Sequence, residues 1–414
     1  MTVVGGGASG ARPQLIRAIN EQVLLDHIRR SGPVSRTELA SLTGLSKPTV
    51  SAALGTIERV GLVHATGQRT GLPGPAAQLY GVRPEAGFVL ALDVGHEFLR
   101  GAVADLAGTT RSRLSVRTKA VDATGRIQEL ADLAATLVAE AGIDASQLTQ
   151  TVIGSPGVYD RKRDTLTLTG RLSGWDSPAV LPALRERFGA TLLIENDVDA
   201  AALAERVHGH GRDVDSFAFV SVGTGIGMGL VLDGKLRHGS HGVAGEISYL
   251  PFAEGSGSDV RDARKRGSFD ASASAAAVVR AAKRAGVRGA SSAEKVFAAA
   301  ARGDAVAAEV VAEEALLVAK AVCTVITVVD PDLIVLGGGI GQAPGFLKAV
   351  VDQLRVLAPV LPEVKATVLG TETVVAGCIA AGLDQAWQHL IAGISPSSTR
   401  GEADRMAGQL PTAP

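Results

Sequence analysis

A chain of 414 residues is longer than one ordinary core, and 46% hydrophobic residues with 50 glycines and only 3% aromatics point to several Ala/Gly-rich α/β domains. Its only two cysteines, Cys323 and Cys378, argue against a disulfide framework or a multi-cysteine metal site. The start has no signal-like apolar core and no apolar run reaches about 18 residues, so a soluble, cytoplasmic protein without a membrane partner is expected. The net charge of −1 hides an asymmetry: residues 1–80 carry eight Lys/Arg against four Asp/Glu, and the remainder 33 against 38. A basic head on an acidic body fits a head that meets a polyanion.

Residues 1–12 read as a disordered N-terminus. From Pro13, "PQLIRAINEQVLLDHIRRSG" places Leu15, Ile19, Val23, Leu24 and Ile28 on one helical face and stops at Gly32-Pro33. "SRTELASLTG" begins with Ser35 as N-cap and ends at Gly44. "LSKPTVSAALGTIERVG" begins with Ser46 as N-cap, tolerates Pro48 in its first turn, and turns Val50, Leu54 and Ile57 inward. "LVHATG" and "AAQLYGV" then form two strands around the tip "QRTGLPGP". Residues 13–80 therefore read as a winged helix-turn-helix, with a small helical protein-interaction module as the alternative. On the first reading Ser46, Lys47, Thr49 and Ser51 on the third helix enter a DNA groove. Arg36 and Thr37 clamp phosphates, and Arg69 beside the wing tip reaches a phosphate or the minor groove.

In the body, "DVGHEFLRGAVAD" (93–105) aligns without a gap to "SVGTGIGMGLVLD" (221–233). Each copy reads as strand, glycine turn, strand. The expected architecture is two similar α/β lobes, residues 85–200 and 201–393 (the latter with a closing C-terminal helix), their hairpins facing across a cleft; chance likeness of two glycine-rich hairpins is the alternative. "TVIGSPGV" (151–158) runs into a turn, and "TLLIENDVDAAALAE" (191–205) is a strand ending at Glu195-Asn196-Asp197 before a helix. Asn196 and Asp197 stand where α/β proteins bind ligands and could orient a polyol, although either could simply cap the helix. Glu246 lies in the glycine-rich "GVAGEISYL". "VVDPDLIVLGGGI" (328–340) offers glycines suited to a flat ligand or to a tight turn. Residues 394–414 read as a disordered tail.

These stretches in this order resemble the ROK family (repressor, open reading frame, kinase), over about residues 13–390. The resemblance implies an α/β, two-lobed actin/hexokinase-like (ribonuclease H-like) body behind the winged helix-turn-helix. It implies a sugar kinase or, with such a head, a sugar-responsive transcription factor, usually a homodimer or tetramer. Asp93 and Gly95 match the family's first phosphate motif, but His96 and Glu97 replace its second glycine and threonine. Glu97 is expected to aim a carboxylate at a triphosphate, so ATP binding is not expected. Gly223, Thr224 and Gly225 match the second phosphate motif, and Gly338 opens the third glycine loop. Asp197 matches the catalytic base, while Gly157, Asn196, Glu246 and Asp270 match or approach the sugar pocket. Tyr249 stands at the place of a zinc-binding histidine and residues 251–272 contain no cysteine, so neither zinc nor any other metal or cofactor is expected. The combined expectation is a non-enzymatic regulator, a repressor on a palindromic double-stranded DNA operator, gated by a sugar or sugar-derived effector. An active sugar kinase that also binds DNA, or a regulator without a ligand, are the alternatives.

Overall fold

The computed structural model describes residues 11–69, 76–170, 172–189, 191–251 and 267–394. Most of the N-terminal segment and of the tail expected to be disordered, the wing tip, Arg171 and the basic stretch Arg261–Arg266 lie outside the described residues. Two boundaries shift. Helix α1 (Ala11–Ser31) already includes Ala11 and Arg12, since Pro13 falls in its first turn, where a missing N–H breaks no helical bond. The last helix runs through Ile394.

The head continues with β1 (Val34–Ser35), α2 (Arg36–Thr43), α3 (Lys47–Arg59), β2 (Val63–Arg69) and β3 (Ala77–Val82), its sheet ordered β1-β3-β2. The expected caps form. Ser35 and Glu38 make a reciprocal capping box, Gly44 closes α2 with φ 68°, and the Ser46 hydroxyl accepts the Thr49 N–H. Val50, Leu54 and Ile57 are fully buried. The inward face of α1 differs from expectation. Leu24, Leu25 and Ile28 enter the core, whereas Leu15 is 62% and Ile19 49% exposed, because the first half of the helix overhangs the small core.

Lobe 1 comprises β4 (Phe88–Val94), β5 (Phe98–Asp105), β6 (Thr110–Arg117), α4 (Ala123–Glu140), β7 (Leu148–Ser155), a hairpin of β8 (Val158–Asp160) and β9 (Thr165–Thr167), α5 (Val180–Phe188) and β10 (Leu193–Asn196). Its sheet runs β10-β7-β4-β5-β6; β10, β7 and β4 are parallel, and β5 and β6 follow antiparallel. Helix α6 (Asp197–His208) leads to lobe 2: β11 (Phe217–Val222), β12 (Ile226–Leu232), β13 (Lys235–Leu236), α7 (Ser268–Ala273), α8 (Ala275–Ala285), α9 (Ala293–Ala301), α10 (Ala305–Val329), β14 (Leu333–Gly337), α11 (Gly338–Gly341), α12 (Phe346–Leu357) and β15 (Glu363–Ala366). The second sheet, β13-β12-β11-β14-β15, repeats the first strand for strand, three antiparallel then two parallel. The internal likeness of the two hairpins is thus structural.

The division at residue 200 does not hold as a boundary, because α6 crosses it unbroken. Gly227 and Gly229 of β12 leave room for α6: a Cβ on them would stand 2.9 Å from Val198 and 2.6 Å from Ala202. The closing helix α13 (Thr373–Ile394) also belongs elsewhere than expected. Val375, Cys378 and Ile379 bury against Ala91, Val152 and Ala200, so it covers the sheet of lobe 1. Its far end reaches the head, where Ala386 and Trp387 share one core with Leu24, Ile57 and Tyr80. Arg29 adds an ion pair to Asp384 at 3.2 Å. No helix among the described residues is long and apolar enough to cross a membrane.

Candidate functional site

Two surfaces collect the residues singled out above. On the head, α3 presents Lys47, Ser51 and Ala52 to solvent, while Thr49 is half-buried with its hydroxyl 2.8 Å from that of Ser46. Ser46 and Thr49 thus build the helix start, while the Lys47 and Ser51 side chains are exposed beside it. Arg36 and Thr37 are exposed at the start of α2, the Arg36 guanidinium lying 5.1 Å from the Tyr80 ring centre. Arg69 pairs with Glu38, the residue that completes the capping box, and its side chain is exposed at the base of the wing.

The second surface is a cleft of about 1420 Å³ between the lobes. Both hairpin turns line it, Gly95–Glu97 from lobe 1 and Gly223–Gly225 from lobe 2, so they face each other as the repeat implied. Gly157, Asn196, Asp197, Glu246 and Asp270 line the same space. Gly157 has φ 89°, and a Cβ there would come within 2.5 Å of the Thr167 carbonyl. At Gly338, φ is 76° and a Cβ would stand 2.4 Å from the Val222 carbonyl oxygen, so this glycine permits a tight strand-to-helix turn against β11.

The polar groups carry distinct tasks. Asn196 caps α6: its Oδ1 accepts the N–H groups of Val198 (2.8 Å) and Asp199 (3.0 Å), and its amide donates to the Gly157 carbonyl at 2.9 Å. The capping alternative therefore holds for Asn196, which positions the pocket's loop. Asp197 begins the helix beside it, and its carboxylate lines the cleft. Burial, then the neighbouring Asp93 carboxylate, pushes its pKa up to about 7 despite the N–H of Val198. Burial likewise raises Glu246. Asp270 Oδ1 accepts the Ile226 N–H at 3.1 Å, fixing the second hairpin.

The first hairpin shows a feature that the motif alone did not. Asp93 and Arg100 are cross-strand partners on β4 and β5, 3.1 Å apart. Burial pushes Asp93 up to about 6, against the pull of that guanidinium. Glu97 lines the cleft as well, and its carboxylate is 57% exposed and stands 3.8 Å from Arg117. Arg126 holds the turn from behind by donating to the Gly95 carbonyl at 2.8 Å.

Three further residues meet at the cleft's edge: Glu195 at the end of β10, Asp199 in the first turn of α6, and His238 in the loop after β13. The His238 Nε2 is 2.8 Å from Glu195 Oε1, and Arg161 lies 3.0 Å from Glu195 Oε2. Asp199 is pushed up to about 8 by burial and by Glu195, and His238 is raised by its hydrogen bond to Glu195. Sequence reasoning passed over this group because only the tertiary fold brings a lobe 2 loop onto the β10 end. The "END" motif was the one available signal.

Two lobes of one repeated topology enclosing a polar cleft, behind a winged helix-turn-helix, define an actin/hexokinase-like protein with a DNA-binding type of head. The ROK family model matches residues 89–378, and the chain belongs to that family. A MarR family model matches residues 23–71. The chain is 25% identical to a xylose repressor of Bacillus spizizenii over 237 residues, 57% of this chain and 61% of the relative. It is 34% identical to the bifunctional enzyme NanE/NanK of Brucella suis over 52% of this chain and 42% of that protein. The match thus spans about three fifths or less of these two relatives' own length, and a glucokinase of Thermotoga maritima is 29% identical over 47% of this chain and 65% of that protein. A crystal structure of a ROK family transcriptional regulator, a homologue of the E. coli MLC protein, superposes with a TM-score of 0.74 at 24% identity, covering 92% of this chain and 99% of that one. The ROK hexokinase of Thermus thermophilus superposes at 0.61 with 27% identity, covering 72% and 98%.

Proposed function

We propose that this protein is a DNA-binding transcriptional repressor whose operator affinity is set by a sugar or sugar-derived effector in the interlobe cleft. The observation that carries the reading is the capped, outward-facing start of α3. Lys47 and Ser51 are exposed on a helix of a head that shares its core with the body. A homodimer would place two such heads on a palindromic operator, in successive major grooves. The effector acts through its different affinity for the DNA-competent and DNA-incompetent arrangements. Asp197 and Glu246 are its polar anchors, with Gly157 and Asn196 shaping the pocket wall. The xylose repressors among the relatives put pentoses first in the panel of effectors.

Loss of phosphoryl transfer is part of the same reading. Arg100 neutralises Asp93, and His96 adds bulk where a phosphate needs bare N–H groups. The rival reading, a retained kinase, draws on Asp197 held near neutral pKa opposite the intact Gly223-Thr224-Gly225 loop.

The deciding experiment is a fluorescence-anisotropy titration onto the DNA upstream of the protein's own gene, with and without pentoses, hexoses and their derivatives. Binding in the nanomolar range that one sugar weakens is the expected result. No specific binding, together with sugar-dependent ATP turnover in magnesium, would replace this reading with the kinase.

A further inference from the structure

The group at the cleft's edge carries more than an interlobe contact. Glu195 and Asp199 are each 4% exposed, and they come from lobe 1 and its outgoing helix, whereas His238 comes from lobe 2. The His238 carbonyl is held by the Ala244 N–H at 3.1 Å, which fixes the loop that presents the ring. The Asp199 carboxylate is the telling member. Its Oδ1 is buried with no hydrogen-bond partner among the described residues, and its Oδ2 stands 4.0 Å from His238 Nε2, beyond hydrogen-bond reach. A buried carboxylate left so costs free energy unless it takes up a proton or a cation meets it.

One potential ligand atom from each residue lies within 4.8 Å of the other two, the His238 nitrogen being 2.8 Å from Glu195 and 4.0 Å from Asp199. Ligands about 2.0–2.2 Å from a common ion stand roughly 3–3.5 Å apart, so the spacing closes on a metal with small side-chain movements. Arg161 is the opposing charge. It binds the outer oxygen of Glu195 and lies 3.4 Å from His238 Nε2, and its side chain is half exposed, so solvent screens part of its charge. Asp197 and Glu246 add negative field around Asp199.

We propose that Glu195, Asp199 and His238 form a divalent-metal site that joins the two lobes at the cleft's edge. One imidazole and two carboxylates suit Zn²⁺ or Mn²⁺ better than Mg²⁺ or Ca²⁺, which take oxygen ligands. Three protein ligands leave a position open, and Asp199 also lines the cleft. The ion would therefore hold the lobes at one opening angle.

The test uses the full chain, stripped with EDTA, dialysed, and titrated by calorimetry with ZnCl₂, MnCl₂ and MgCl₂. Thermal melts are recorded alongside. The expected result is one Zn²⁺ or Mn²⁺ per chain with a raised melting temperature, and affinity about tenfold or more weaker in both Asp199→Asn and His238→Gln. Asp199→Asn keeps the side chain's shape, so it decides the matter if His238→Gln does not fold. Uptake of neither ion at micromolar concentration, uptake unchanged by the folded variants, or binding of Mg²⁺ in preference to both would overturn the proposal.

Discussion

Lys47 and Ser51 show what exposure on a capped helix implies for a single side chain. Neither makes a hydrogen bond that α3 needs, whereas Ser46 and Thr49 hold the helix start. Lys47→Ala with Ser51→Ala should therefore weaken operator binding by about 1–3 kcal/mol while leaving the melting temperature unchanged. Anisotropy beside a thermal melt checks both halves, and unchanged affinity would remove α3 from the interface. Thr49→Ala differs, since it also disturbs the cap and should lower stability.

Glu314 on α10 is a residue-scale effect of another kind. It is 3% exposed, its Oε1 has no hydrogen-bond partner among the described residues, and burial raises its pKa well above 4.5. The folded state keeps a proton that the unfolded chain has already lost, so stability falls as pH rises from about 4.5 toward the folded value, by up to about 1.4 kcal/mol per pH unit. Glu314→Leu should raise the melting temperature more at pH 8 than at pH 5. An equal gain at both pH values would show that Glu314 is ionised in the folded protein.

At the scale of elements, the crossing of α6 and α13 is set by missing side chains. A Cβ on Gly377 would stand 1.6 Å from the Ala200 carbonyl oxygen, while one on Gly382 would stand 2.4 Å from the Val89 side chain of β4. At Gly377 the two helices meet backbone to backbone, so an added methyl there has no flexible neighbour to displace. Gly377→Ala should cost about 1–3 kcal/mol, read by urea unfolding. A neutral effect would mean that the two helices slide freely. The crossing matters because α6 begins at Asn196 and Asp197 in the cleft, and α13 ends in the core of the head.

For the whole molecule, the head is no bead on a string. Leu24, Ile57 and Tyr80 of the head, Val89 and Leu106 of lobe 1, and Trp387 of α13 form one apolar cluster. A change in lobe closure that shifts α13 therefore has a packed path to α3, and this is the route the proposed effector gating would use. Trp387→Ala should cost about 3–5 kcal/mol. It should also split the calorimetric melt, the head unfolding below the body. A single unshifted transition would argue against the shared core.

Much of this was legible along the chain, because it rests on local chemistry. Ser35, Gly44, Ser46 and Pro48 mark helix ends wherever they stand, and Val50, Leu54 and Ile57 repeat at helical spacing. The paired hairpins repeat a strand–glycine–strand pattern that needs no partner to be read, and Asp197 and Glu246 lie in recognisable motifs. What the chain order concealed depends on partners far away in sequence or on solvent exposure. The overhang of Leu15 and Ile19 follows from how small the head's core is, and the nearness of Glu97 to Arg117 from where β6 ends. The home of α13 on lobe 1 follows from glycines that accept α6 and the sheet at contact distance. Caps and periodicity were determined by the sequence itself, because neighbouring residues satisfy them. The meeting of Asp93 with Arg100, and of Glu195 and Asp199 with His238, was decided only by tertiary structure, because charges act through space and the fold alone sets their separation.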